Sequence, residues 1–258
     1  MRDLAVGAIA VGERYVAWSK YLVDTLRRLG GYRGPIHVAT DRPDAYAGLD
    51  GVHPVRVAGG DALAAKRQKM RIFDWVPAQR ALYLDVDVVV GRPIAPFLEA
   101  IDGFWERRPI ALFRERSTPE PFHAGAFAVD RDASRGLLDR WGAAHGEDRP
   151  RDQVALATVA TECDVHLCDD SFLLFPTRDT YRTGARATFV HVTFTGRQLQ
   201  VPPSTIARYL RSRFGVELPV SLGDDLRWWR SYLRPRDLLT RAARKLRQLG
   251  VPVPRLRG

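Results

Sequence analysis

The chain has 258 residues, 45% of them hydrophobic and 27% charged, which is the balance of a folded globular protein of one large domain or one domain with an appendage. Two cysteines exclude a disulfide-stapled scaffold, and no apolar run reaches the roughly 18 residues that read as a membrane span. Basic side chains outnumber acidic ones 40 to 30, but unevenly: residues 205–258 hold 13 basic and 4 acidic groups, and the rest is nearly neutral. A nucleic-acid enzyme more often carries its charge on the folded body, so nucleic acid is not an expected partner.

In chain order, Leu4–Ala10 is an apolar run that reads as a first buried strand. Its short length, and a leading charge cancelled by Asp3, argue against a secretion signal and for a cytoplasmic location. Tyr15–Leu29 reads as an amphipathic helix closed by Gly30 and Gly31. Apolar runs follow at Pro35–Thr40 and Val52–Val57, then a helix over Asp61–Val76, then the run Ala81–Leu84. Strand and helix alternating in this way predict an α/β fold with a mostly parallel sheet, whose ligands sit beyond the carboxyl ends of the strands. Further strands are expected at Pro109–Phe113, Gly125–Val129, Val165–Leu167 and Phe189–Val192, with helices at Ser134–Trp141 and Asp152–Thr161. Pro202-Pro203 marks the boundary to a basic helical extension, giving domains of 1–203 and 204–258.

The segment LYLDVDVVV carries the strongest chemical signal. Asp85 and Asp87 stand one residue apart inside a very apolar run, and carboxylates there are costly unless they pair or bind a cation. If the chain stays extended, both project to one side and can share a hard divalent ion, which would also take diphosphate oxygens. The competing reading is a strand-to-turn junction whose carboxylates bond backbone amides. Cys163, His166 and Cys168 supply too few ligands for a usual zinc site and read as buried reduced thiols. In the tail, Leu238, Leu239, Ala242, Leu246 and Leu249 fall on one helical face beside arginines and tryptophans. That pattern suits either an anionic membrane surface or a helix packed on the body.

KRQKMRIFDWVPAQRALYLDVDVVVGRPIAPF resembles the central block of GT-A-fold glycosyltransferases of the family 8 type. FHAGAFAVD is similar to that family's F-N-S-G strand, RDQVALATV to its D-Q helix, and FVHVTFTGR to its His–Gly–Lys segment, all in the family's order. The resemblance implies a metal-dependent transfer of a sugar, with retention, from a nucleotide-diphosphate sugar such as UDP-hexose to an acceptor hydroxyl on a glycan, lipid-linked sugar or small natural product. It implies Mn2+ or Mg2+ on Asp85, Asp87 and His191, with Asp85 also near the donor ribose and sugar. It places Tyr15 under the uracil, Ala10 and Gly12 at the base edge, and Lys69 and Arg197 on the nucleotide and diphosphate. Asp152 and Gln153 would face the reacting sugar.

Each residue also has a plainer reading: Tyr15 as a core residue, Lys69 as a solvated helix residue, His191 as a satisfied core histidine and Asp152 as a helix cap. The chain departs from the family where His123 and Ala124 replace the Asn-containing pair, leaving the sugar open and giving His123 a role toward sugar or acceptor. It departs again where Gly196 lies five residues past His191 rather than three. A nucleotidyltransferase and a non-catalytic nucleotide-sugar-binding protein are the rival readings. The first usually carries a Gly- and Arg-rich phosphate loop where this chain has AVGERY.

Overall fold

The structure is a computed structural model, which describes residues 3–59, 62–105, 107–115, 120–146, 152–175, 186–192, 202–217 and 225–226. The chain divides into two compact units, residues 1–176 with 185–192, and residues 177–184 with 193–258.

The first unit is built on a seven-stranded sheet of order β3-β2-β1-β4-β7-β6-β8. Its strands are β1 (Leu4–Ala10), β2 (Ile36–Thr40), β3 (Val52–Arg56), β4 (Arg80–Leu84), β6 (Ile110–Arg114), β7 (Phe122–Asp130) and β8 (His166–Leu167). All seven residues of β1 are buried, as expected of a strand covered on both faces. Leu4, Val6, Ala8 and Ala10 enter one core, and Ala5 and Ile9 enter the other, so the period of two divides the strand between the faces. Helix α1 (Glu13–Arg28) packs Leu22 and Leu26 into the first core. Helices α5 (Arg131–His145) and α6 (Asp152–Ala160) bring Trp141 and Leu156 to the second.

Strands β1 to β4 and β6 run one way, and β7 alone among the described strands of this sheet runs against them. The reversal matters for the site. Leu84, the last residue of β4, pairs with Ala126, so β7 begins at the edge where β4 ends. His123 and Gly125 therefore lie beside Asp85, and β6 delivers Glu115 to the same edge.

Two expectations change in detail. The helix over 61–76 is two helices, α2 (Ala62–Met70) and α3 (Ile72–Trp75), separated at Arg71, whose backbone is not helical (φ −110°, ψ 27°). Trp75 Nε1 donates to the Gln68 carbonyl at 3.0 Å, taking an acceptor near the break. The D-x-D segment also does not stay extended. β4 stops at Leu84, the Val88 amide donates to the Asp85 carbonyl at 2.9 Å, and the chain turns into β5 (Val88–Val90).

That turn feeds a second, three-stranded sheet of order β5-β10-β9, with β9 at Leu173–Leu174 and β10 at Phe189–His191. β10 pairs antiparallel to β5 with His191 opposite Val88, and the Val192 amide donates to the Asp87 carbonyl at 2.9 Å. A short helix α4 (Ala95–Ala100), absent from the sequence reading, adds Phe97 to the first core, edge-on to Phe189.

In the second unit, helix α7 (Pro203–Phe214) opens on a proline and closes at Gly215 in the left-handed conformation (φ 62°). The Ser204 amide donates to Asp225 Oδ1 at 2.9 Å, and Tyr209 meets Phe214 edge-on. The aromatic and basic stretch expected to form a helix over 238–249 lies outside the described residues, as does Arg197.

Candidate metal and sugar-nucleotide site

The ends of β4, β6 and β10 and the start of β7 converge on one cluster of polar side chains. Asp85, Asp87 and His191 each offer a ligand atom, all within 4.8 Å of one another. His191 Nε2 lies 3.2 Å from Asp87 Oδ1. Two carboxylates and one imidazole form a mixed oxygen and nitrogen donor set of the kind that suits a manganese-like ion. Among the described residues this is the one group of acidic, histidine and cysteine side chains so arranged.

Room at this point comes from Gly125. A Cβ there would stand 2.6 Å from Asp85 Oδ2 and 2.6 Å from His123 Nε2. Only a glycine lets β7 pass this close beneath both groups. The donor set and the bare glycine together fit a divalent cation.

Lys69 is the hub beside it. It is 5% exposed, and Nζ lies 3.0 Å from Asp85 Oδ1 and 2.7 Å from Asp152 Oδ2 while donating to the Ala124 carbonyl at 3.1 Å. The plainer reading of Lys69 as a solvated helix residue therefore does not hold. Burial alone would lower its pKa; the Asp152 and Asp85 charges outweigh burial and hold it above the usual lysine range. Burial pushes the Asp152 carboxyl up, and the Lys69 and Lys66 charges more than reverse this, to about 2. Lys66 lies 3.3 Å from the other Asp152 oxygen. The Tyr83 hydroxyl donates to Asp85 Oδ1 at 2.6 Å, and burial followed by the Asp85 charge drives its pKa well up.

Burial would raise the Asp87 pKa, but the His191 charge outweighs it and leaves the carboxyl lowered. Burial would lower the His191 pKa, but Asp87 outweighs it and leaves the imidazole raised. His191 is thus partnered through Nε2 within the candidate metal cluster, while its Nδ1 is buried without a hydrogen-bond partner.

His123 is buried and edge-on to His191, with ring centroids 4.6 Å apart. Burial, with His191 beside it, lowers its pKa. Its Nδ1 lies 3.0 Å from Glu115 Oε2, and the same oxygen accepts from Gln153 Nε2 at 3.1 Å. Its Nε2 is buried without a hydrogen-bond partner. Glu115 is a residue that sequence reasoning missed. The available signal was its place just past an apolar run, an acidic group at the carboxyl end of a strand.

Lys69, Asp85, Asp87, His123, Asp152, Gln153 and His191 thus belong to one connected cluster. Ala10, Gly12 and Tyr15 form a second group where β1 passes into α1. Ala10 is buried, Gly12 has φ +91°, and Tyr15 is 37% exposed in the first turn of the helix. That exposure sets Tyr15 apart from a core residue. The Gly12 amide donates to Asp41 Oδ1 at 2.9 Å. Cys163 and Cys168 are free thiols, half-buried and buried, and burial pushes the Cys168 thiol up to about 12.

No protein family model matches the chain, and no curated protein does. Solved structures do match. An active-site mutant of LgtC superposes with a TM-score of 0.60 at 13% identity, covering 89% of this chain and 100% of its own. Mouse xyloside xylosyltransferase 1, in its apo form, gives a TM-score of 0.55 at 13% identity, covering 75% of this chain and 98% of its own. The chain has the GT-A fold expected from its sequence, a mixed and mostly parallel sheet flanked by helices.

Proposed function

We propose that the chain is a metal-dependent glycosyltransferase that moves a hexosyl group from a UDP-sugar to an acceptor hydroxyl with retention of configuration. The observation that carries this reading is the meeting of Asp85, Asp87 and His191 with the buried Lys69 at the carboxyl edge of the sheet. The fold likeness to a xylosyltransferase supports the same class. Mn2+ or Mg2+ held by Asp85, Asp87 and His191 would neutralise negative charge developing on the leaving diphosphate.

The chain's own residues do the rest by position and charge. Lys69 adds a fixed positive charge beside Asp85, in a site where burial strengthens it. Tyr83 and Lys69 together hold the Asp85 carboxylate in one orientation. Gln153 and His123, both tied to Glu115, face the donor sugar, and Asp152 sets the position of Lys69. In this reading the acceptor hydroxyl attacks from the face that the diphosphate leaves, its proton passes to a departing phosphate oxygen, and no side chain bonds to the sugar. Retention rests on the family resemblance, as does a clamping role for Arg197 on the diphosphate. We assign residues 1–203 to the donor-binding domain and the basic stretch 204–258 to contact with an anionic membrane surface. No helix among the described residues is long and apolar enough to cross a membrane.

The test is a panel of UDP-sugars incubated with the protein and Mn2+, with mass detection of the nucleotide product. Metal-dependent release of UDP supports the proposal. Pyrophosphate released from UTP and a sugar phosphate would instead make it a nucleotidyltransferase. Saturable UDP binding without turnover across an acceptor panel would make it a binding protein.

A further inference from the structure

β2 and β3 form one edge of the large sheet, and β3 is its outermost strand. They run parallel, with His37 directly opposite His53. Ala39 and Val55, two residues on along each strand, join the second core, so both histidines project from that same face. Their ring centroids lie 5.0 Å apart, with the planes 23° from parallel. Neighbouring strands stand roughly 4.8 Å apart, so the two side chains run alongside each other instead of splaying.

Ordinary polar contacts do not account for this pair. His37 is 8% exposed, and its Nδ1 is buried without a hydrogen-bond partner. His123 and His191 are each held by a carboxylate, Glu115 and Asp87. For His37, burial and then His53 lower the pKa, with no carboxylate acting against them. Its inward neighbour across the sheet is Gly7, a bare position covered by Trp75 and Val76. Its outward neighbour, His53, is exposed. The fold thus presents one imidazole fixed in a buried slot beside a second that can turn in solvent.

We propose that His37 and His53 form a second metal site, a clip across β2 and β3 that takes a nitrogen-seeking divalent ion such as Ni2+, Cu2+ or Zn2+ in preference to Mn2+ or Mg2+. Neutral imidazoles suit the first group, whereas Mn2+ and Mg2+ draw on carboxylate oxygen, which this pair lacks. Metal–nitrogen bonds of about 2.0–2.1 Å let one ion join two rings this near, with water completing its shell. β1 stands between β2 and β4 in the sheet, and the clip shares no residue with the aspartate cluster. A bound ion ties the outermost strand to its neighbour through side chains as well as backbone, and so stabilises the edge of the sheet.

The experiment is calorimetric titration of the untagged full chain with Ni2+, in the wild type, His53→Ala and Asp87→Ala. The aspartate cluster also takes Ni2+, so the wild type should bind two ions and each variant one. His53→Ala should keep its Mn2+ binding. The site left in Asp87→Ala should hold Ni2+ at least tenfold more tightly than Mn2+. Because His53 is exposed, its replacement leaves the core intact. A second readout is thermal unfolding of Asp87→Ala: Ni2+ at ten times its dissociation constant should raise Tm by about 2–4 °C, a rise absent when His53→Ala is added. Unchanged Ni2+ stoichiometry in His53→Ala, or a single wild-type ion that Asp87→Ala abolishes, overturns the clip and leaves the glycosyltransferase reading standing.

Discussion

Lys69 and Asp152 meet at 2.7 Å, each less than a tenth exposed, and the same ammonium lies 3.0 Å from Asp85. One lysine thus ties helix α6 to the D-x-D turn. The Asp152 pKa lies below its ordinary value of 3.8, at about 2. The sign follows: the pair stabilises the fold above pH 4, and that contribution is lost as pH falls toward 2. At neutral pH the shift corresponds to about 2 kcal/mol. Asp152→Asn should therefore lower unfolding free energy by about 2 kcal/mol at pH 7 and by less than half of that near pH 2.5. Urea melts of both proteins at several pH values check this, and a deficit of constant size would contradict it.

Asp87 and His191 come from distant parts of the chain but share one contact at 3.2 Å. Asp87→Ala and His191→Ala should each weaken Mn2+ binding at least about tenfold, with the fold retained. Calorimetric titration with Mn2+ alone reads this without any turnover. Wild-type affinity in either variant would remove that residue from the cluster.

Gly125 tests the close approach of β7. In Gly125→Ala the added methyl would fall 2.6 Å from both Asp85 Oδ2 and His123 Nε2. Asp85 is held by Lys69 and Tyr83 and cannot move aside cheaply. The expected outcome is a loss of about 1–3 kcal/mol in stability together with weaker Mn2+ binding. An unperturbed Mn2+ titration would show that the Asp85 carboxylate has room to turn.

Glu115 holds His123 and Gln153 through one oxygen. Glu115→Ala should leave the UDP affinity within about threefold but lower UDP-sugar turnover about 10–100-fold, because the two groups proposed to face the sugar lose their alignment. Steady-state kinetics beside UDP titration separates the effects. Equal losses in binding and turnover would reduce Glu115 to a structural role.

The parts of this site that sequence reveals are those with local causes. Leu4–Ala10 reads as a strand because every residue is apolar, and its bounds agree with the structure. Asp85 and Asp87 stand out because charge interrupts such a run. The extended geometry assumed for them does not hold, because Val88 turns back on Asp85 to begin another sheet. That turn depends on β10, a distant segment, and no local pattern announces the pairing. The helix over 61–76 carries no proline or glycine to mark its break at Arg71, so a single helix is the natural reading. Lys69 and Asp152 were each legible as candidates, but their contact was not, since it depends on how α2 and α6 pack. Glu115 escaped notice because one glutamate beyond a strand has no motif around it.

The small sheet has a consequence for synthesis. β5 follows the two aspartates directly, but its antiparallel partner is β10, which carries His191 and lies far downstream. A growing polypeptide displays both carboxylates long before the imidazole leaves the ribosome. Emerging chains can collapse around the large sheet early, yet they acquire a complete set of three ligands only when this late segment docks. The three candidate metal-binding side chains can therefore meet only after translation has passed His191, and shorter products would lack that set.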